Sequence, residues 1–194
     1  MYIFVQKYHI KQKVMKKIIL FAFSLLSLVS CKNDDKKLEE SKENVAEKVM
    51  DTVFTITLNA TVKKDDSFQL YYRKQTETTY EETSSFFVEF KGSDKPQDIV
   101  FRLPDGVIPD NIRLDFGTNK EQSEIKINSF KMSYFGKTFE TNGSDFFNYL
   151  LVETKTATFD KDKATLKPLL VNGTYDPQAT SEKALFEQIQ KIIK

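Results

Sequence analysis

The residues best suited to covalent or metal chemistry are few. One cysteine, Cys31, and one histidine, His9, are the entire thiol and imidazole content of the 194-residue chain. Ser-His-Asp and Cys-His catalysis, and zinc or copper sites, draw on imidazole or thiolate. Beyond Cys31 the chain offers neither. The phosphate-cradling pattern Gly-x-x-x-x-Gly-Lys-[Ser/Thr] is absent, and the six glycines stand singly. Carboxylates are more plentiful. Glu81, Glu82, Glu89, Asp98, Asp105, Asp110 and Asp115 have the right chemistry for an acid/base pair acting on a glycosidic bond, but no spacing marks two of them as partners. Asp65, Asp66, Asp160 and Asp162 are possible oxygen ligands for calcium. Asp160-Lys161-Asp162 has an alternating pattern, with a lysine inside it and no trailing glycine or glutamate. The expectation is a protein without catalytic residues, cofactor or metal.

Tyr71, Tyr72, Arg73 and Tyr80, next to the threonines of QTETTYEETSS, form the most suggestive recognition surface. In a strand, Tyr72 follows Phe68 and Leu70 into the core, which leaves Tyr71 and Arg73 on the other face. A flat ring beside a cation and carboxylates can hold a sugar by CH–π contact and hydrogen bonds. Tyr71, Arg73 and Tyr80 are therefore the expected ligand contacts. An ordinary aromatic strand edge has the same pattern, and the lack of tryptophan counts against tight sugar binding.

Period-two alternation defines the elements that must position these groups. Phe54, Ile56, Leu58, Ala60 and Val62 alternate with polar residues, as do Phe68, Leu70 and Tyr72. The same holds for Phe86, Val88 and Phe90, for Ile99, Phe101 and Leu103, and for Ile112, Leu114 and Phe116. Ile125 and Ile127 keep odd phase, then Phe130, Met132 and Tyr134 switch to even, which predicts a β-bulge near Asn128-Ser129. Residues 154–159 and 164–170 read as two weaker strands. Ser144 reads as the N-cap of a short turn carrying Phe146, Phe147 and Leu150. Residues 180–194 form an amphipathic helix with Leu185, Phe186, Ile189, Ile192 and Ile193 on one side. No helix-length segment separates the strands, so the pattern predicts an all-β fold. The expected architecture is an antiparallel β-sandwich over residues 52–175 with a short C-terminal helix over 176–194.

The amino-terminal part differs in kind. Met15-Lys16-Lys17 is a short positive region, Ile18 to Val29 carry no charge, and Ser30 is a small residue ahead of Cys31. That is the layout of a secretory signal over residues 1–30, with translation expected to start at Met15. The 13 residues from Ile18 to Ser30 reach about 20 Å as a helix, short of a membrane span. Residues 31–51 are dense in Lys, Glu, Asp and Asn, and read as a solvated tether. The five lysines before Cys31, taken from 29 basic residues, leave 24 against all 28 acids, a net of −4. A mildly acidic body argues against nucleic acid as a partner.

Leu28-Val29-Ser30-Cys31 resembles the lipobox of bacterial lipoproteins. The resemblance implies that Cys31 is lipidated and becomes the first residue, anchoring the protein to a membrane; two or more acyl chains make such anchoring stable. Lys32-Asn33-Asp34-Asp35 resembles the charged tags that route some lipoproteins to the outer face of the outer membrane, with the periplasmic face as the alternative. Residues 68–139 resemble a jelly-roll module, similar to galactose-binding-like and carbohydrate-binding sandwiches. The resemblance rests on a strand ending in Leu103-Pro104, then Ile112-Arg113-Leu114-Asp115, then the strands from Ile125. It implies a non-catalytic envelope protein whose partner is a glycan. The alternative is an interaction lipoprotein that docks an envelope protein, and a carboxylate hydrolase ranks third.

Overall fold

The structure, a computed structural model, describes residues 52–194. The signal segment, Cys31 and the tether lie outside the described residues. Two antiparallel sheets form the sandwich, their strands numbered in chain order. The first contains β1 (Thr55–Thr61), β4 (Gln97–Arg102), β6 (Ile125–Tyr134), β7 (Lys137–Asn142), β9 (Ala157–Asp160) and β10 (Thr165–Pro168). It is ordered β4-β1-β6-β10-β9, with β7 also paired to β6. The second contains β2 (Asp66–Arg73), β3 (Ser85–Phe90), β5 (Asn111–Asp115), β8 (Leu150–Val152) and β13 (Gln178–Ser181). Its order is β3-β2-β5-β13-β8. Successive strands cross repeatedly between the two sheets. A separate hairpin pairs β11 (Leu170–Val171) with β12 (Thr174–Tyr175).

The alternation read from the sequence turns inward as expected. Ile56, Leu58, Ala60, Ile99 and Phe101 of one sheet face Phe68, Leu70, Ile112 and Leu114 of the other in one buried core. A fully buried phenylalanine contributes about 2–3 kcal/mol relative to an exposed one. Rings also lock the layers together: Phe86 of β3 lies 6.3 Å from Phe101 of β4.

The bulge falls where the phase slip predicts it. Asn59 of β1 pairs with Ser129 and Ala60 with Ile127, so Asn128 is the extra residue. The helical turn α1 (Gly143–Phe146) packs on this irregularity. A Cβ on Gly143 would sit 1.9 Å from the Ile127 carbonyl oxygen, so only glycine allows that approach. Phe146 then enters the core between Phe116, at 6.3 Å, and Phe130, at 5.8 Å.

Three expectations need correction. The N-cap of α1 is Asn142, not Ser144: its side-chain oxygen accepts the Asp145 N–H at 2.9 Å. The C-terminal helix, α2 (Lys183–Ile192), does not begin at 176 or 180. Gln178–Ser181 is instead an interior strand, paired with β5 on one edge and β8 on the other. Its only inward side chain is the small Ala179, which leaves almost no hydrophobic pattern to read. β7 and β8 also went unread, because Lys137–Asn142 has one apolar residue and Leu150–Val152 is only three residues long. Leu185, Ile189 and Ile192 of α2 are buried in the common core.

The registers define two ends of the sandwich. Thr55 pairs with Arg102 and Ser133, and Arg73 with Asn111, so the start of the body and the tip of the β6–β7 hairpin share a near end. Asp66 pairs with Phe90, and Ala60 with Gln97, at the far end. At the near-end tip, Tyr134 pairs with Lys137 across Phe135 and Gly136, whose φ values are 46° and 76°. Both central residues of a type I′ turn need positive φ, which suits Asn-Gly. The β11–β12 hairpin has that chemistry, with Asn172 at 50° and Gly173 at 80°. Phenylalanine in the same conformation costs about 1–2 kcal/mol.

Candidate functional site

The three expected contact residues cluster on the outer face of the second sheet, and the structure closes most of that cluster. Tyr71 and Arg73 do point away from the core, but Tyr71 is only 4 % exposed. The Arg113 guanidinium, on β5 directly opposite Tyr71, lies 3.9 Å from the centre of its ring. The Tyr71 hydroxyl donates to Glu82 at 2.5 Å, and Tyr80 meets the ring edge-on at 6.4 Å. Tyr80 donates its own hydroxyl to the Ile112 carbonyl at 2.9 Å. Arg73 lies 5.0 Å from the Tyr80 ring and donates to the carbonyls of Lys74 and Glu77. The loop of residues 74–84 therefore folds back onto the sheet and covers the Tyr71 ring. Arg73 alone of the three still lines an open groove, of about 250 Å³, with Tyr72, Ser84 and Val107.

Electrostatics reinforce the closure. Burial and the Glu82 acceptor push the Tyr71 hydroxyl up to about 12. The same hydrogen bond holds Glu82 below the usual carboxylate range. Asp115 is raised because burial outweighs the attraction of Arg113, which it holds with a two-pronged pair at 2.8 and 2.9 Å. A carboxylate gripped this way is poorly placed to move a proton or attack a sugar.

The open surface lies at the far end. Gln69 of β2 pairs with Phe87 on β3 and with Asp115 on β5, and Asp115 pairs with Gln178 on β13. Ring, amide, carboxylate and amide thus stand in one row across four strands. Phe87 is 54 % exposed. Beside it, a cleft of about 100 Å³ is lined by Ser67, Gln69, Phe87, Asp115, Tyr175 and Asp176. At Ser67 and Thr118 it meets a wider cleft of about 490 Å³, bordered by Asp65, Asp66, Glu89 and Lys91.

Backbone donors and side-chain pairs organise this end. One Asp66 carboxylate oxygen accepts the N–H groups of Ser67, Thr118 and Asn119 at 2.9, 2.8 and 3.1 Å. The other accepts from the Gln122 amide at 3.0 Å. Asp65 accepts from Lys91 at 2.7 Å and from the Gly92 N–H at 2.8 Å, which lowers its pKa. These two residues weighed as calcium ligands are thus engaged by N–H donors. Asp160 pairs with Lys163 at 2.8 Å. Among the described residues, no three His, Cys, Asp or Glu side chains come together in a way that could hold a metal ion.

Sequence reading missed Phe87. The signal was present: in SFFVEF, Phe86 and Phe87 are adjacent, so one of them must leave the core face. No family model matches the chain, no curated protein matches it in sequence, and no solved structure matches it in fold.

Proposed function

We propose that the chain is a lipoprotein of the bacterial cell envelope, an outer-membrane one, anchored through a lipidated Cys31. In this reading its β-sandwich binds a glycan, without catalysis, as an accessory to an envelope polysaccharide. The observation that carries the glycan part is the half-exposed Phe87 ring, in register with Gln69 and Asp115 at the rim of the far-end clefts. An exposed ring offers a CH–π surface. Ser67 and the exposed Asp176, which line the cleft beside it, offer the directional hydrogen bonds by which a polyol is oriented, while Gln69 and Asp115 are engaged within the sheet and hold the ring's surroundings in place. Arg113 supports this row by holding Asp115, while the Tyr71–Glu82 pair and Gln69 tie the row to the loop behind it.

A glycan array probed with the chain from residue 31, carrying Cys31→Ser, tests the reading. Binding to at least one envelope polysaccharide is expected, with a tenfold or greater loss for Phe87→Ala and little change for Tyr80→Phe. Absence of binding to every glycan, or equal binding by Phe87→Ala, refutes it. The second reading, docking of an envelope protein partner, draws on Leu170 and Val171, both exposed on the free β11–β12 hairpin. Loss of a cross-linked partner in Leu170→Ser, with glycan binding absent, would favour it. Anchoring is tested by labelled fatty acid: uptake by the wild type and none by Cys31→Ser is the expected result.

A further inference from the structure

We propose that the β6–β7 hairpin tip is a membrane-contact finger, with Phe135 inserting its ring into the lipid surface to which the protein is anchored. The inference rests on the lipid-anchor reading of Cys31 and goes beyond it, because it assigns a face of the folded body to the bilayer. Four observations point the same way. Phe135 is held at φ 46°, in a turn position that asparagine or glycine fills more easily, yet its ring is 46 % exposed. Among the described residues its ring partner is the adjacent Tyr134, edge-on at 4.7 Å, so packing within the described body does not account for a phenylalanine there. Backbone strain that packing does not explain is a pointer to function.

The tip also lies where the chain enters the body. Phe54, two residues into the described chain, has its ring 6.0 Å from Tyr134, and Thr55 pairs with Ser133. Between Cys31 and Thr52 there are 21 residue steps. A stretch of 21 residues spans at most about 75 Å even when fully extended. The near end is therefore the part of the body kept at the highest effective concentration over the bilayer. Lys137, exposed and two positions past Phe135, brings a flexible cation to the level of lipid phosphates. Finally, the wide cleft around Asp66 lies at the opposite end of the strands, so contact at Phe135 leaves it away from the membrane.

The chain contains no tryptophan, so Phe135→Trp introduces a single reporter. The full lipidated protein is reconstituted into phosphatidylethanolamine–phosphatidylglycerol vesicles containing lipids with a nitroxide quencher high on the acyl chain. Leu170→Trp, exposed near the far end, serves as the comparison. A blue-shifted emission at position 135, quenched at least twofold more than at position 170, is the expected result. Equal quenching in vesicles that carry the protein overturns the finger while leaving the anchor intact. Failure of the protein to float with vesicles overturns the anchor, and the finger with it. Lys137→Cys, labelled with an environment-sensitive dye on the only free thiol of the lipidated chain, reads the same depth without altering the strained position. A water-like spectrum from that label in floating vesicles likewise overturns the finger.

Discussion

The near and far ends of the sandwich are built from similar strands but finished in opposite ways. At the near end, the long β2–β3 connection lies back on the sheet, and Tyr80 and Glu82 fill the space over Tyr71. At the far end the β1–β2 connection is short, and Asp66 gathers the N–H groups of the neighbouring 117–119 turn into its carboxylate. A carboxylate satisfied by backbone donors holds a turn in place without covering the sheet. The cleft beside Phe87 stays open as a result. The comparison shows how connection length and turn chemistry, more than strand composition, decide which outer rings of a sandwich meet solvent.

Substitutions at the two ends separate these roles, and the largest effect belongs to the core beneath the far end. Phe146→Ala empties the space between Phe116 and Phe130 and is expected to cost about 3–5 kcal/mol in urea unfolding. A loss below about 1 kcal/mol would mean that α1 does not hold the far end together. Asp66→Ala comes next. It strips the acceptor from three N–H groups and the Gln122 amide, with an expected loss of about 2 kcal/mol. Hydrogen exchange should accelerate at Thr118 and Asn119 and remain unchanged at the near-end Arg73.

Phe135→Asn should act in the other direction at the near end. Relief of the positive-φ cost is expected to raise stability by about 1 kcal/mol, roughly 3 °C in Tm by calorimetry. An unchanged or lower Tm would remove the argument that the ring is strained there.

The smallest effect is spectroscopic. The Tyr71 hydroxyl is raised to about 12 in the folded protein against an ordinary value near 10. The unfolded chain therefore gives up this proton first, and the stability it contributes is complete below about pH 10 and is lost as pH rises towards 12. Tyr71→Phe should delete one late step from the ultraviolet titration of the tyrosines. It should also flatten the alkaline fall in stability over that interval. Burial also raises Tyr80 and Tyr175, so the readout is the number of late-titrating tyrosines: no drop by one in Tyr71→Phe would mean that the burial of Tyr71 and its Glu82 hydrogen bond do not form in solution.

Much of the scaffold was legible, because period-two alternation records which side chains a sandwich must bury. The inward sets of β1, β4 and β6, and the bulge at Asn128, follow from residue order alone. Strands with one small inward residue were not legible: Ala179 gives β13 no pattern, although it lies between two partners. The contact residues show a sharper limit. Tyr71-Tyr72 and Phe86-Phe87 are both adjacent aromatic pairs, and each must expose one ring on the outer face. Residue types favoured Tyr71, yet Tyr71 is covered and Phe87 is open.

What the sequence by itself determined is the sandwich and its inward faces, carried by alternation among neighbours within a few residues. Only the tertiary structure decided which outward ring stays free. Arg113 reaches Tyr71 from a strand 42 positions away, because pairing in the sheet sets the two side by side. That cover depends on distances between strands, which the order of residues along any one of them does not contain.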